Sequence, residues 1–130
     1  MSAVAPDLLG QALQFKKAMD QPIAKPTNEN LANSMSLINE EYMELLDAHC
    51  ERLAFPKYID SQENSLKELA DLVYVCFQYA VTAGFELDEA LKRIHESNMS
   101  KMVDGKPTKD ENGKVQKGPN YEPPFLDDLI

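Results

Sequence analysis

Residues 69–81 read LADLVYVCFQYAV, and the reading of this run decides the fold. Only Asp71 and Gln78 interrupt it strongly. The apolar row through it is Leu66, Leu69, Val73, Cys76, Ala80, Ala83. Its steps alternate between three and four, which is the period of an α-helix and not of a strand. A helix that is apolar nearly all round is buried on nearly every side. A chain of 130 residues can hardly enclose one helix unless a second copy helps. The expectation is a homo-oligomer, dimer or tetramer, whose helices complete one bundle together. The plainer alternative is the central helix of a monomeric bundle.

Working outward, Ser61 or Asp60 starts this helix, which runs over 61–83, and Gly84 stops it. Upstream, Pro56 ends a longer helix over 28–53, capped by Asn28 or Thr27. Its apolar row is Leu31, Met35, Ile38, Tyr42, Leu45. The segment QPIAKPTN connects it to a first helix over 7–19, begun by Asp7 behind Pro6. A fourth helix is expected over 87–101. Four of the eight prolines and three of the five glycines follow residue 102. The chain thus divides into a helical body, 1–102, and an irregular tail, 103–130, that packs on the same domain. Within the tail, Asn112-Gly113 is a turn signal able to close a hairpin. The fold class is all-α, with about four helices per chain.

The composition fits one globular domain: 43% hydrophobic and 27% charged residues. The net charge of -9 argues against duplex nucleic acid and anionic membranes as partners, but not against metal cations. No apolar run reaches the roughly 20 residues that span a bilayer, and MSAVAPDLLG has no secretory pattern. Two cysteines, Cys50 and Cys76, are too few for a disulfide scaffold. A soluble, reduced, cytoplasmic protein is expected.

Most acidic residues on helices face solvent. Two groups here resist that reading. Glu40, Glu41 and Glu44, in INEEYMELL, fall within one arc of the second helix at about 100° per residue. That arc borders the apolar face. Glu68 and Asp71, in KELADLVYV, share a face of the third helix, and Asp71 sits in the most apolar stretch of the chain. Clustered carboxylates repel one another and are costly to bury unpaired. The only basic residue close in sequence is Lys67. Two facing helices that each present acids at i and i+3 can hold a hard divalent cation such as Mg²⁺ or Mn²⁺.

The pattern E-x-x-E (Glu41, Glu44), followed after 23 residues by E-x-x-D (Glu68, Asp71), resembles the signature of the all-α nucleoside triphosphate pyrophosphohydrolases. LINEEYMELLDA and LKELADLVYV look MazG-like. The ending NMSKMVDGKPTKDENGKVQKGPNY is similar to small MazG-like proteins of phages and bacteria. The resemblance spans most of residues 10–124 and implies an all-α catalytic domain. It also implies hydrolysis of a nucleoside triphosphate between the α and β phosphorus, giving a monophosphate and pyrophosphate. It assigns Glu41, Glu44, Glu68 and Asp71 as ligands of two or three Mg²⁺ ions, with Mn²⁺ able to substitute. Glu40 is implied as a further ligand, and Glu40 or Glu41 as the general base. Such ions offset the triphosphate charge and acidify the attacking water.

Asn98 continues the row Leu87, Leu91, Ile94 and is expected to face inward, with Lys101 three residues on. Lone inward asparagines more often bond a helix end, but the resemblance implies that the N-x-x-K pattern serves the phosphates. Lys117, in a lysine-rich tail, and Tyr121 are candidate substrate contacts, against the plainer readings of a solvated loop and an anchor. Gln14 and Phe15 are implied as part of a base pocket. The histidine that often follows that phenylalanine is Lys16 here, and an arginine often found before the EE pair is missing. dGTP is the leading candidate substrate. Alternatives are dCTP, dUTP, broad specificity, phosphoribosyl-ATP, a nucleotide sensor without turnover, or a non-catalytic helical module.

Overall fold

The computed structural model describes residues 6–130. Four helices dominate: α1 (Leu8–Ala18), α2 (Asn28–Ala54), α3 (Ile59–Ala83) and α4 (Leu87–Met99). Asp7 caps α1 as expected, its side chain accepting from the Gly10 amide at 2.8 Å. Of the two candidate caps for α2, Thr27 takes the role and accepts from the Asn30 amide. Gly84 ends α3 at φ +79°, a left-handed conformation that a Cβ disfavours. The start of α3 differs from expectation. The helix begins at Ile59, and Ser61 is already inside it. The Ser61 hydroxyl donates back to the carbonyls of Phe55 and Tyr58, at 2.7 and 2.8 Å, tying the turn to the helix.

The chain's contacts define a first compact unit ending at Phe85 and a second, Glu86–Ile130. This boundary lies ahead of the compositional one after residue 102. In the first unit, α2 and α3 form an antiparallel hairpin, and α1 packs on α3. Ser34 Oγ meets Thr82 Oγ1 at 3.2 Å, and Ser61 Oγ meets the Phe55 carbonyl. Both pins agree on one register, since Ser34 to Phe55 and Ser61 to Thr82 are equal distances along the chain. The seam between them is made of small or polar side chains. Ser34, Ala48, Ser61, Glu68 and Thr82 are all buried, and such residues let helix axes approach closely.

Outside this seam, large apolar side chains of both helices stay exposed. In the apolar row of α2, Leu31, Ile38 and Leu45 are half-buried, while Met35 is 54% and Tyr42 50% exposed. As the length of the chain led us to expect, α3 is not enclosed by its own chain: Leu66, Leu69 and Val73 stay exposed. Hydrophobic period identified the helices, but the small residues decide which stripe faces the neighbouring helix.

In the second unit, Arg93 on α4 clasps both oxygens of Asp128 (2.5 and 3.0 Å) and the Phe125 carbonyl (2.9 Å). Asp128 is held below the usual carboxylate range by that guanidinium. Ser97 donates to the Glu122 carbonyl at 2.7 Å, so Ser97, and not Asn98, is the buried residue of this helix. The expected hairpin exists: β1 (Thr108–Lys109) pairs antiparallel with β2 (Val115–Gln116). Asp110 Oδ1 accepts the amides of Asn112 and Lys114, closing the turn, with Gly113 at φ +79°. A second tight turn, at Asp104-Gly105, has both residues at positive φ, as an Asp-Gly pair favours. A short 3-10 turn, Asp127–Leu129, ends the chain. No helix among the described residues is long and apolar enough to cross a membrane.

Candidate metal centre

The register of α2 on α3 brings Glu41 and Glu44 to Glu68. One carboxylate oxygen from each lies within 4.8 Å of the others. Glu68 is buried, Glu41 half-buried and Glu44 exposed. The Oε2 atoms of Glu41 and Glu68 are buried with no hydrogen-bond partner. Orphaned buried carboxylate oxygens are rare because losing water uncompensated is costly. The Glu44 carboxyl is pushed up to about 7, first by proton sharing with Glu41, then by the charge of Glu41, and further by Glu68. The trio is short of positive charge, and a set of hard oxygen donors suits a divalent cation.

The other two acids stand apart from the trio. Glu40 is exposed. Asp71 accepts from Lys67 Nζ at 2.8 Å, and the same ammonium reaches Glu68 Oε1 at 3.3 Å. These partners, Asp71 first, raise the Lys67 pKa. Glu68 therefore gives one oxygen to Lys67 and turns the orphaned one away. The sequence pattern did not assign Lys67 this double contact, although its i, i+4 spacing to Asp71 was the available signal.

On α1, Gln14 and Phe15 line a cavity of about 430 Å³ with Gln11, Ala18 and Tyr74. Phe15 meets Tyr74 edge to face at 5.7 Å. Tyr74 is a lining residue that only the tertiary fold reveals. Lys16 faces the interior at 5% exposure, and burial lowers its pKa. In the second unit, Asn98 is exposed, against the expected inward placement, and Lys101 is half-buried. Lys117 Nζ sits 4.9 Å from the centroid of the Tyr121 ring, a cation–π pair. Gly118 allows the tail to pass close to Lys101: a Cβ there would lie 2.8 Å from the Lys101 carbonyl oxygen.

The antiparallel helical hairpin carries E-x-x-E on one arm and E-x-x-D on the other, and the family match puts the chain among the all-α pyrophosphohydrolases, hydrolases acting on phosphoric anhydrides. Within it, the chain belongs to the phosphoribosyl-ATP pyrophosphohydrolase family, whose model matches residues 12–98. The protein is a pyrophosphohydrolase. The match includes Gln14, Phe15, all five acids and Asn98, and it ends before Lys101, Lys117 and Tyr121. No curated protein matches the chain.

Proposed function

We propose that the protein is a Mg²⁺-dependent pyrophosphohydrolase that splits a (d)NTP between the α and β phosphorus into (d)NMP and pyrophosphate. The observation that supports this most is the trio Glu41, Glu44, Glu68 with two orphaned buried oxygens. In this reading Glu41, Glu44, Glu68 and Asp71 hold two or three ions, with Glu40 as a further ligand. When bound, such ions would offset the triphosphate charge and make water a better nucleophile. Glu40 or Glu41 accepts the proton of the attacking water. Lys101 and Lys117 donate to phosphate oxygens as point charges, and Asn98 through its amide. Tyr121 packs against the nucleotide, while Phe15 and Gln14 contact the base.

The leading substrate is dGTP, with dCTP, dUTP or a broad range as alternatives. The family description favours a second reading, phosphoribosyl-ATP. The reaction is placed in the cytoplasm, and the working form is a homodimer or homotetramer. The test is a panel of NTPs, dNTPs and phosphoribosyl-ATP with Mg²⁺ or Mn²⁺. Pyrophosphate, as opposed to single phosphate, is the expected product. Absence of pyrophosphate from every substrate would end this reading.

A further inference from the structure

The carboxylates of this site are not all free to meet a cation. Lys67 Nζ lies 2.8 Å from Asp71 Oδ2 and 3.3 Å from Glu68 Oε1. Its side chain is 66% exposed, so little packing holds the ammonium there. On the other side, Glu41 Oε2 and Glu68 Oε2 are buried and have no donor. Glu68 thus has a neutralised outer oxygen and an unneutralised inner one.

We infer that Lys67 is a resident cation of the Asp71 side, which competes with a divalent ion for Asp71 Oδ2 and Glu68 Oε1. This rests on the reading of Glu41, Glu44 and Glu68 as a metal centre. Two positions of unequal affinity follow. The inner one, within the trio, takes its ion without moving Lys67. The outer one, at Glu68 and Asp71, takes its ion in competition with the ammonium. Removing the ammonium relieves both the competition and the repulsion between it and the incoming dication. Lys67 is a positioning residue, and the expected effect falls on metal affinity.

The probe is Mn²⁺ alone, without nucleotide, with free Mn²⁺ counted by electron paramagnetic resonance. The wild type should bind one ion well and a second weakly. Lys67→Met should tighten the weak step by roughly five- to tenfold, the scale expected for removing one partly screened charge. Lys67→Arg keeps the cation and should resemble the wild type. Lys67→Met with Asp71→Asn should lose the gain. An unchanged second step in Lys67→Met, beside normal Mn²⁺ binding at the first, overturns the inference and leaves the metal centre standing. So does a gain that survives Asp71→Asn, or an equal gain in Lys67→Arg. Failure of wild type and variant alike to bind any Mn²⁺ at millimolar concentration overturns the metal centre and this inference with it.

Discussion

At the scale of single residues, Glu41 carries the sharpest expectation. Its half-buried carboxylate adds negative charge to Glu44 and Glu68 within 4.8 Å. Glu41→Gln keeps the shape and removes a charge that metal-free packing does not need. The variant should retain its helix content and melt no lower than the wild type without metal, while pyrophosphate release falls at least about 100-fold. Circular dichroism and a product assay check the two halves separately. Glu44 sets a pH dependence. Its carboxyl is raised from 4.5 to about 7, so between those values the folded chain binds a proton that the unfolded chain does not. That contribution to metal-free stability is fully present below pH 4.5 and is lost as pH rises through about 7. Metal binding runs the opposite way, because a ligand must be deprotonated. Melting curves from pH 5 to 8 should show stabilisation by Mg²⁺ growing as pH climbs through about 7. A Mg²⁺ effect independent of pH would show that Glu44 is not a ligand.

At the scale of elements, helix number and most ends were legible in local chemistry. Asp7, Thr27, Pro56 and Gly84 each act through the backbone within a few residues, so sequence alone exposes them. Faces were harder to read. Which stripe of α2 meets α3 depends on how closely two axes approach, and that is set by pairs such as Ser34 with Thr82, 48 positions apart. The carboxylate pairs were legible because their spacing is local. The Lys67 contacts and the addition of Tyr74 to the Phe15 cavity were not assigned from the sequence. Gly84 offers a test of the local reading. At φ +79° a Cβ would meet Ala24 Cβ at an ordinary 3.5 Å, so the penalty for Gly84→Ala is one of backbone conformation. The variant should lose about 1 kcal/mol of stability, measured by urea unfolding, with catalysis unchanged. A neutral result would mean that the end of α3 readjusts freely.

At the scale of the molecule, the first unit leaves an apolar stripe on its longest helices. On α3 it includes Leu66, Leu69 and Val73, and on α2 Met35 and Tyr42. Leu66, Leu69, Val73 and Tyr74 also line an apolar groove of about 360 Å³ with Leu8 and Phe77. An apolar groove lined by so many exposed large side chains is uncommon on a soluble monomer. Burying one such leucine or valine is worth about 1.5–3 kcal/mol, so several buried together would supply stability that the small seam of α2 and α3 does not. The seam uses Ser34, Ala48, Ser61 and Thr82, which bring helices together but bury little apolar area. A second copy of the chain would supply the same kind of face and satisfy it by two-fold symmetry. Sedimentation equilibrium at micromolar concentration should therefore find a dimer or tetramer. Val73→Glu, which puts a charge in the middle of the stripe, should shift the protein toward monomer and lower its melting temperature by several degrees. Lys92→Glu, on the exposed side of α4, is the matched control and should do neither. A wild type that sediments as a monomer, with Val73→Glu as stable as the control, would show that the stripe is simply solvated and that one chain is the whole working unit.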